Sequence, residues 1–140
     1  MNIENKYKEY KTDGTYVYSC QYHVIFTTKY RRKVWSQEIV DIIKQLIIDK
    51  QLEYNYKVLD MEVMNDHVHL LIDVDPKKGI YPIVCKIKGY TSKALREEFP
   101  ELKKRLPTLW TRSKFIATVG SANLEVVKKY IEEQKKNDKE

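Results

Sequence analysis

Residues 57–74 read Lys57-Val-Leu-Asp-Met-Glu-Val-Met64-Asn65-Asp66-His67-Val-His-Leu-Leu-Ile-Asp-Val74, two β-type runs with only Asn65-Asp66 between them. Asn and Asp tolerate the positive φ of a two-residue hairpin turn, so the runs 57–64 and 67–74 are expected to pair antiparallel. Strand period two then sends Val68, Leu70 and Ile72 to the core and puts His67 and His69 side by side on the opposite face.

Working outward, residues 16–28 alternate, with Tyr16, Tyr18, Cys20, Tyr22, Val24 and Phe26 on one face and Val17, Ser19, Gln21, His23 and Ile25 on the other. This predicts one long strand. Ser36 is placed to cap a helix whose Ile39, Ile42, Ile43, Leu46 and Ile47 share a stripe, running to about Leu52. Beyond the hairpin, Pro76 and Gly79 break the pattern. Residues 80–98 then carry Ile83, Val84, Ile87, Tyr90, Thr91, Ala94 and Leu95 at helical spacing. Pro100 and Pro107 bracket a basic connection, 109–119 reads as a fourth strand, and 123 to about 136 reads as a last helix.

The order βαββαβ plus a terminal α predicts an α+β, ferredoxin-like fold, an antiparallel sheet with both helices on one face and the other face open. Residues 1–15 are expected to be a flexible lead-in ending at the Asp13-Gly14 turn. Residues 16–119 form the core and 120–140 a hinge and helix, within a single domain.

The chain has 140 residues, 42% of them hydrophobic and 33% charged, enough for one domain with its own core. Lys+Arg 26 against Asp+Glu 20 leaves +6, an excess that suits a polyanionic partner and equally suits an ordinary mixed-charge surface. The N-terminus lacks an apolar signal core and no run approaches a bilayer span, so no membrane association and a cytoplasmic location are expected. Cys20 and Cys85, with no ligand spacing, read as small core residues in a reducing compartment.

His67 and His69, aimed at one point, suit chelation of a divalent cation; two polar residues on a solvated strand face is the plainer alternative. On the last helix Tyr130 and Gln134 stand at i and i+4, with Leu124, Val127 and Ile131 as an adjacent docking stripe. The Gln134 amide oxygen can then supply a third ligand and the Tyr130 phenol can reach a bound phosphate, although an ordinary amphipathic helix has the same pattern. Basic residues interleave with aromatics at Lys29, Tyr30, Arg31, Arg32, Lys33 and Trp35, and at Lys86, Lys88, Tyr90, Lys93 and Arg96, with Arg112 and Lys114 on the fourth strand. They are candidates for nucleic-acid contact, each also readable as a solvated surface charge.

Taken together these residues resemble the single-tyrosine HUH transposases of the smallest insertion sequences, the IS200-like family. His67-Val68-His69 within MNDHVHLLI is similar to the His-hydrophobe-His motif of that family. YHVIFTTKYRRKVW at 22–35, KGYTSKALREEFPEL at 88–102 and KKYIEEQ at 128–134 are similar too. Asn65 stands where the family often has Pro before the Asp.

The resemblance implies metal ligation by His67, His69 and Gln134, with Mg²⁺ as the cation and Mn²⁺ competent, and Tyr130 as nucleophile. It implies cleavage and rejoining of single-stranded DNA at hairpin-bearing ends through a 5′-phosphotyrosine. It further implies a homodimer with sites completed in trans, for which Gly120 is the candidate hinge. The alternatives are a non-catalytic single-stranded nucleic-acid-binding module on the same sheet, which would lack the usual stacking signature, and a domesticated nuclease acting on palindromic repeats.

Overall fold

The computed structural model describes residues 11–12, 17–29, 35–119 and 129–133. In chain order its elements are β1 (Lys11–Thr12), β2 (Val17–Tyr18), β3 (Gln21–Thr27), α1 (Gln37–Asp49), α2 (Gln51–Tyr54), β4 (Tyr56–Val63), β5 (His67–Val74), α3 (Ile80–Glu98), α4 (Glu101–Arg105) and β6 (Phe115–Thr118). Residues 129–133 are helical.

The main sheet has the order β4-β5-β3-β6, with every neighbouring pair antiparallel. In that order the two β-α-β units interleave, which is the ferredoxin-like arrangement the sequence predicts. Val24 and Phe26 of β3 and Val68, Leu70, Ile72 and Val74 of β5 point to one face. There they meet Ile39, Val40, Ile43 and Ile47 of α1 and Ile83, Val84, Ile87 and Leu95 of α3. Both long helices therefore cover one side of the sheet.

Local chemistry accounts for the element ends. Ser36 has extended backbone and its Oγ accepts from the Ile39 N–H, starting α1 as its position predicts. Asn55 adopts φ 58 and stops α2 by turning its N–H onto the Gln51 carbonyl. Gly79, at φ 77, turns the chain into α3, whose bounds coincide with the predicted 80–98.

Four expectations need correction. The Asn65-Asp66 turn does not use positive φ, which among the described non-glycine residues occurs at Asn55 alone. The turn is held from outside instead: the Asp66 carbonyl accepts from the Thr28 N–H at 2.9 Å and from Thr28 Oγ at 3.3 Å, while the Met64 N–H donates to the His67 carbonyl at 2.9 Å. The predicted strand 16–28 is broken at Ser19-Cys20, where the Cys20 N–H donates to the Asp73 carboxylate at 3.2 Å. Before that break β2 pairs with β1.

The fourth strand is shorter than 109–119, because only Phe115–Thr118 joins the ladder and Trp110 makes a single bridge to Thr28. Residues between them are drawn toward α3, where the Lys88 ammonium donates to the carbonyls of Thr111 (2.7 Å) and Arg112 (3.3 Å). Trp110 is buried edge-on against Phe26 and donates its Nε1–H to Thr91 Oγ at 3.0 Å. Cys85 is exposed on α3 and is not a core residue; Cys20 packs half-buried at the core margin.

The outer strand β4 shifts register by one residue between Val58 and Asp60, leaving Leu59 out of step and exposed. No helix among the described residues is long and apolar enough to cross a membrane.

Candidate active site

The side of the sheet away from α1 and α3 carries the chemistry. Register fixes which side chains stand together there. Phe115 of β6 pairs with Ile25 of β3, Ile25 with His69 of β5, and His69 with Glu62 of β4. These four form one row across the sheet. Thr27 opposite His67 heads the adjacent row, and His23 opposite Leu71 lies in the row on the other side. Paired residues share a face, so His23, Ile25, Thr27, His67 and His69 all belong to this surface. It is less open than predicted, since Ile25 and Thr27 are fully buried.

His67 is oriented by its neighbour. Its Nδ1 lies 2.8 Å from Oδ1 of the buried Asp66, and a carboxylate there can only accept. The Nδ1–H is thereby fixed and the Nε2 lone pair is left for a ligand, the carboxylate–imidazole arrangement common around protein-bound cations. The strand start that carries this pair is tied to the end of β3 through Thr28.

His69 is half-buried, and burial, reinforced by the nearby His23, pushes its imidazole below the ordinary value. A neutral ring with an available lone pair is the form that binds metal. Its Nε2 lies 3.2 Å from His23 Nδ1, with the rings 5.4 Å apart. The donor set of two imidazoles on one face, one of them carboxylate-oriented, fits a divalent cation with ligand positions left over.

Tyr130 lies on this face too. Its ring centroid is 5.1 Å from that of Phe115, which heads the row running through Ile25 to His69. Two strand spacings separate Phe115 from His69, about 10 Å. Two other tyrosines are poorly suited as nucleophiles. Tyr56 and Tyr90 hydrogen-bond each other at 2.7 Å on the helix side of the sheet. Burial pushes Tyr56 up to about 12 and Tyr90 upward as well.

The structure thus brings His67, His69 and Tyr130 to one surface. Gln134, Gly120, Arg31, Arg32 and Lys33 lie outside the described residues, as do Leu124 and Val127 of the predicted docking stripe. The basic residues of α3 are placed elsewhere. Lys86 and Lys93 are exposed on the outer helix surface, Lys86 over the Tyr54 ring at 5.2 Å, and Arg96 is half-buried nearby. Lys88 is turned inward onto carbonyls, where desolvation lowers its ammonium to about 8. Arg112 is exposed beside that clamp, and Lys29 is half-buried after β3.

Sequence reasoning passed over His23. Its signal was present, because alternation already opposed it to Val24 and Phe26, but its meeting with His69 depends on the β3–β5 register across 46 residues.

Residues 16–134 match the family model described as "Transposase IS200 like". The chain is 37% identical over 134 residues to the ISDra2 transposase TnpA of Deinococcus radiodurans, covering 94% of each chain. It is 33% identical over 125 residues to the transposase for insertion sequence element IS200 of Salmonella typhimurium, covering 87% of this chain and 81% of that one.

Among solved structures, a candidate transposase from Deinococcus radiodurans R1 superposes with a TM-score of 0.79 at 33% identity, covering 89% of this chain and 97% of the other. A REP-associated tyrosine transposase, solved bound to a REP hairpin, shares the fold with a TM-score of 0.55 at 11% identity, over 86% of this chain and 67% of that one. A match over nearly the whole chain, in sequence and in backbone, means that this protein belongs to the IS200-like transposase family.

Proposed function

We propose that this transposase cleaves and rejoins single-stranded DNA at hairpin-bearing ends through a 5′-phosphotyrosine at Tyr130. The observation that carries the reading is the placement of the Tyr130 ring against Phe115, on the sheet face that bears His67 and His69. The relative solved on a REP hairpin adds support for a folded DNA substrate.

In this reading the Tyr130 hydroxyl, buried in this structure, is uncovered as the terminal helix moves, its proton passes to water and its oxygen attacks the scissile phosphorus. The bond from phosphorus to the 3′ oxygen breaks and that oxygen takes up a proton. The covalent product keeps the phosphodiester energy, so a second 3′-OH can attack it and restore a DNA strand without ATP. Asp66 holds the His67 ring in one tautomer throughout.

His67 and His69, with Gln134 as an oxygen donor, would hold Mg²⁺, with Mn²⁺ competent; when bound, the cation offsets charge developing on the phosphate. The basic residues Lys29, Arg31, Arg32, Lys33, Lys86, Lys93, Arg96 and Arg112 are proposed to contact phosphates. Lys88 supports them from within through its carbonyl contacts. The working unit is proposed to be a homodimer in which Gly120 lets the terminal helix move between protomers. The contact with Phe115 of the same chain corresponds to the arrangement in which each helix serves its own sheet.

The test incubates the protein with Mg²⁺ and end-labelled hairpin DNA from the flanks of its own gene. A denaturant-resistant protein–DNA adduct is expected, and Tyr130→Phe is expected to abolish it. No adduct from the wild-type protein, or one that survives in Tyr130→Phe, would overturn the reading and favour a binding module.

A further inference from the structure

The strand order puts β3 between β5, which bears His67 and His69, and β6, on whose Phe115 the Tyr130 ring rests. A phosphate that meets the imidazoles and the phenol together must therefore stand over β3. The β3 side chains turned to this face beside the two histidines are His23, Ile25 and Thr27. His23 is engaged with His69 at 3.2 Å, and Ile25 is apolar. Thr27 brings a hydroxyl, and it stands directly opposite His67.

That hydroxyl has an unusual setting. Thr27 is fully buried, and among the described residues its Oγ finds no hydrogen-bond partner. An unmade hydrogen bond in the interior is costly, and a valine of the same shape would avoid the cost. The backbone here is tied on both sides. The Thr27 carbonyl accepts from the Thr111 N–H at 2.9 Å, and the Thr28 N–H donates to the Asp66 carbonyl at 2.9 Å. The strand that carries the hydroxyl is thus fixed before any ligand arrives, which is what a donor that acts on a transition state requires.

We propose that Thr27 is a further catalytic residue, whose Oγ–H donates to a non-bridging oxygen of the scissile phosphate. The inference rests on the phosphotyrosine reading given above and adds a hydrogen-bond donor to it. Charge that develops on that oxygen during the displacement meets a fixed dipole shielded from water. The Tyr130 hydroxyl is also buried in this structure, so the helix movement that uncovers the nucleophile is the event that admits the phosphate to the floor over β3.

The test measures the rate of covalent adduct formation in a single turnover, with Mg²⁺ and the end-labelled hairpin DNA. Thr27→Val is expected to form the adduct about 100-fold more slowly, while it melts no lower than wild type and binds the same DNA within about twofold of the wild-type affinity. Thr27→Ser, which keeps the hydroxyl, is expected to retain most of the wild-type rate. Thr27→Ala removes the hydroxyl with no demand on space and is expected to be as slow as Thr27→Val, so the result does not hang on one variant folding. With sulfur in place of one or the other non-bridging oxygen, the deficit of Thr27→Val is expected to shrink for one of the two isomers alone.

A valine or alanine variant that cleaves at the wild-type rate would overturn this proposal and leave the phosphotyrosine reading standing. A serine variant as slow as the valine one would do the same, because packing and not the hydroxyl would then set the rate. An equal valine deficit with both sulfur isomers would also overturn the contact. No adduct from the wild-type protein would overturn the phosphotyrosine reading, and this inference with it.

Discussion

At the scale of single residues, the molecule assigns similar side chains opposite tasks by their surroundings. Tyr56 and Tyr90 face each other under the helices and hold their protons, while Tyr130 sits across the sheet near the paired imidazoles. Lys88 shows the same principle among the basic residues. Desolvation lowers it from 10.5 to about 8, so between those values the unfolded chain binds more protons than the folded one. Its contribution to stability is therefore complete above 10.5 and lost as pH falls through 8. Denaturant unfolding from pH 8 to 10 should show stability rising with pH, and Lys88→Met should flatten that slope. An identical slope in the variant would show that the ammonium is not desolvated there. Of the candidate site, the His67-Val68-His69 spacing pointed to the two imidazoles, and Tyr130 stood out only through the resemblance of the KKYIEEQ segment to the family. The contact of His23 with His69 was out of reach, because it follows from which strands become neighbours.

Among the elements, those governed by local periodicity were the readable ones. The bounds of α3 follow from its apolar stripe and from Gly79, and the hairpin follows from two alternating runs. The features that escaped are set by remote partners: the turn gripped by Thr28, β3 parted from β2 where Cys20 meets Asp73, and β6 cut short where Lys88 and Thr91 hold the preceding segment. The junction from α2 into β4 depends on a different device, the left-handed backbone of Asn55. Asn55→Ala is expected to lower stability by about 1–2 kcal/mol, the cost of an L side chain in that region, while Asn55→Gly stays within about 0.5 kcal/mol of wild type. Equal chemical-denaturation midpoints for the alanine and glycine variants would contradict this account.

For the whole molecule, one apolar layer between the sheet and two helices supports a functional surface on the far side. Leu70 lies in that layer, fully buried, one residue from His69. Leu70→Ala is expected to cost about 2–5 kcal/mol, the usual range for a buried leucine, measured by chemical denaturation. A loss below 1 kcal/mol would mean that the layer collapses onto the gap. The misstep at Leu59 acts on a larger scale still. Lys57, Asp60 and Glu62 stand exposed around it on the outermost strand. A stray segment laid along that rim would fall out of phase after a few rungs and meet mixed charges, so crowded copies gain little by zipping together there. The irregularity guards the molecule against fibril growth from its longer margin.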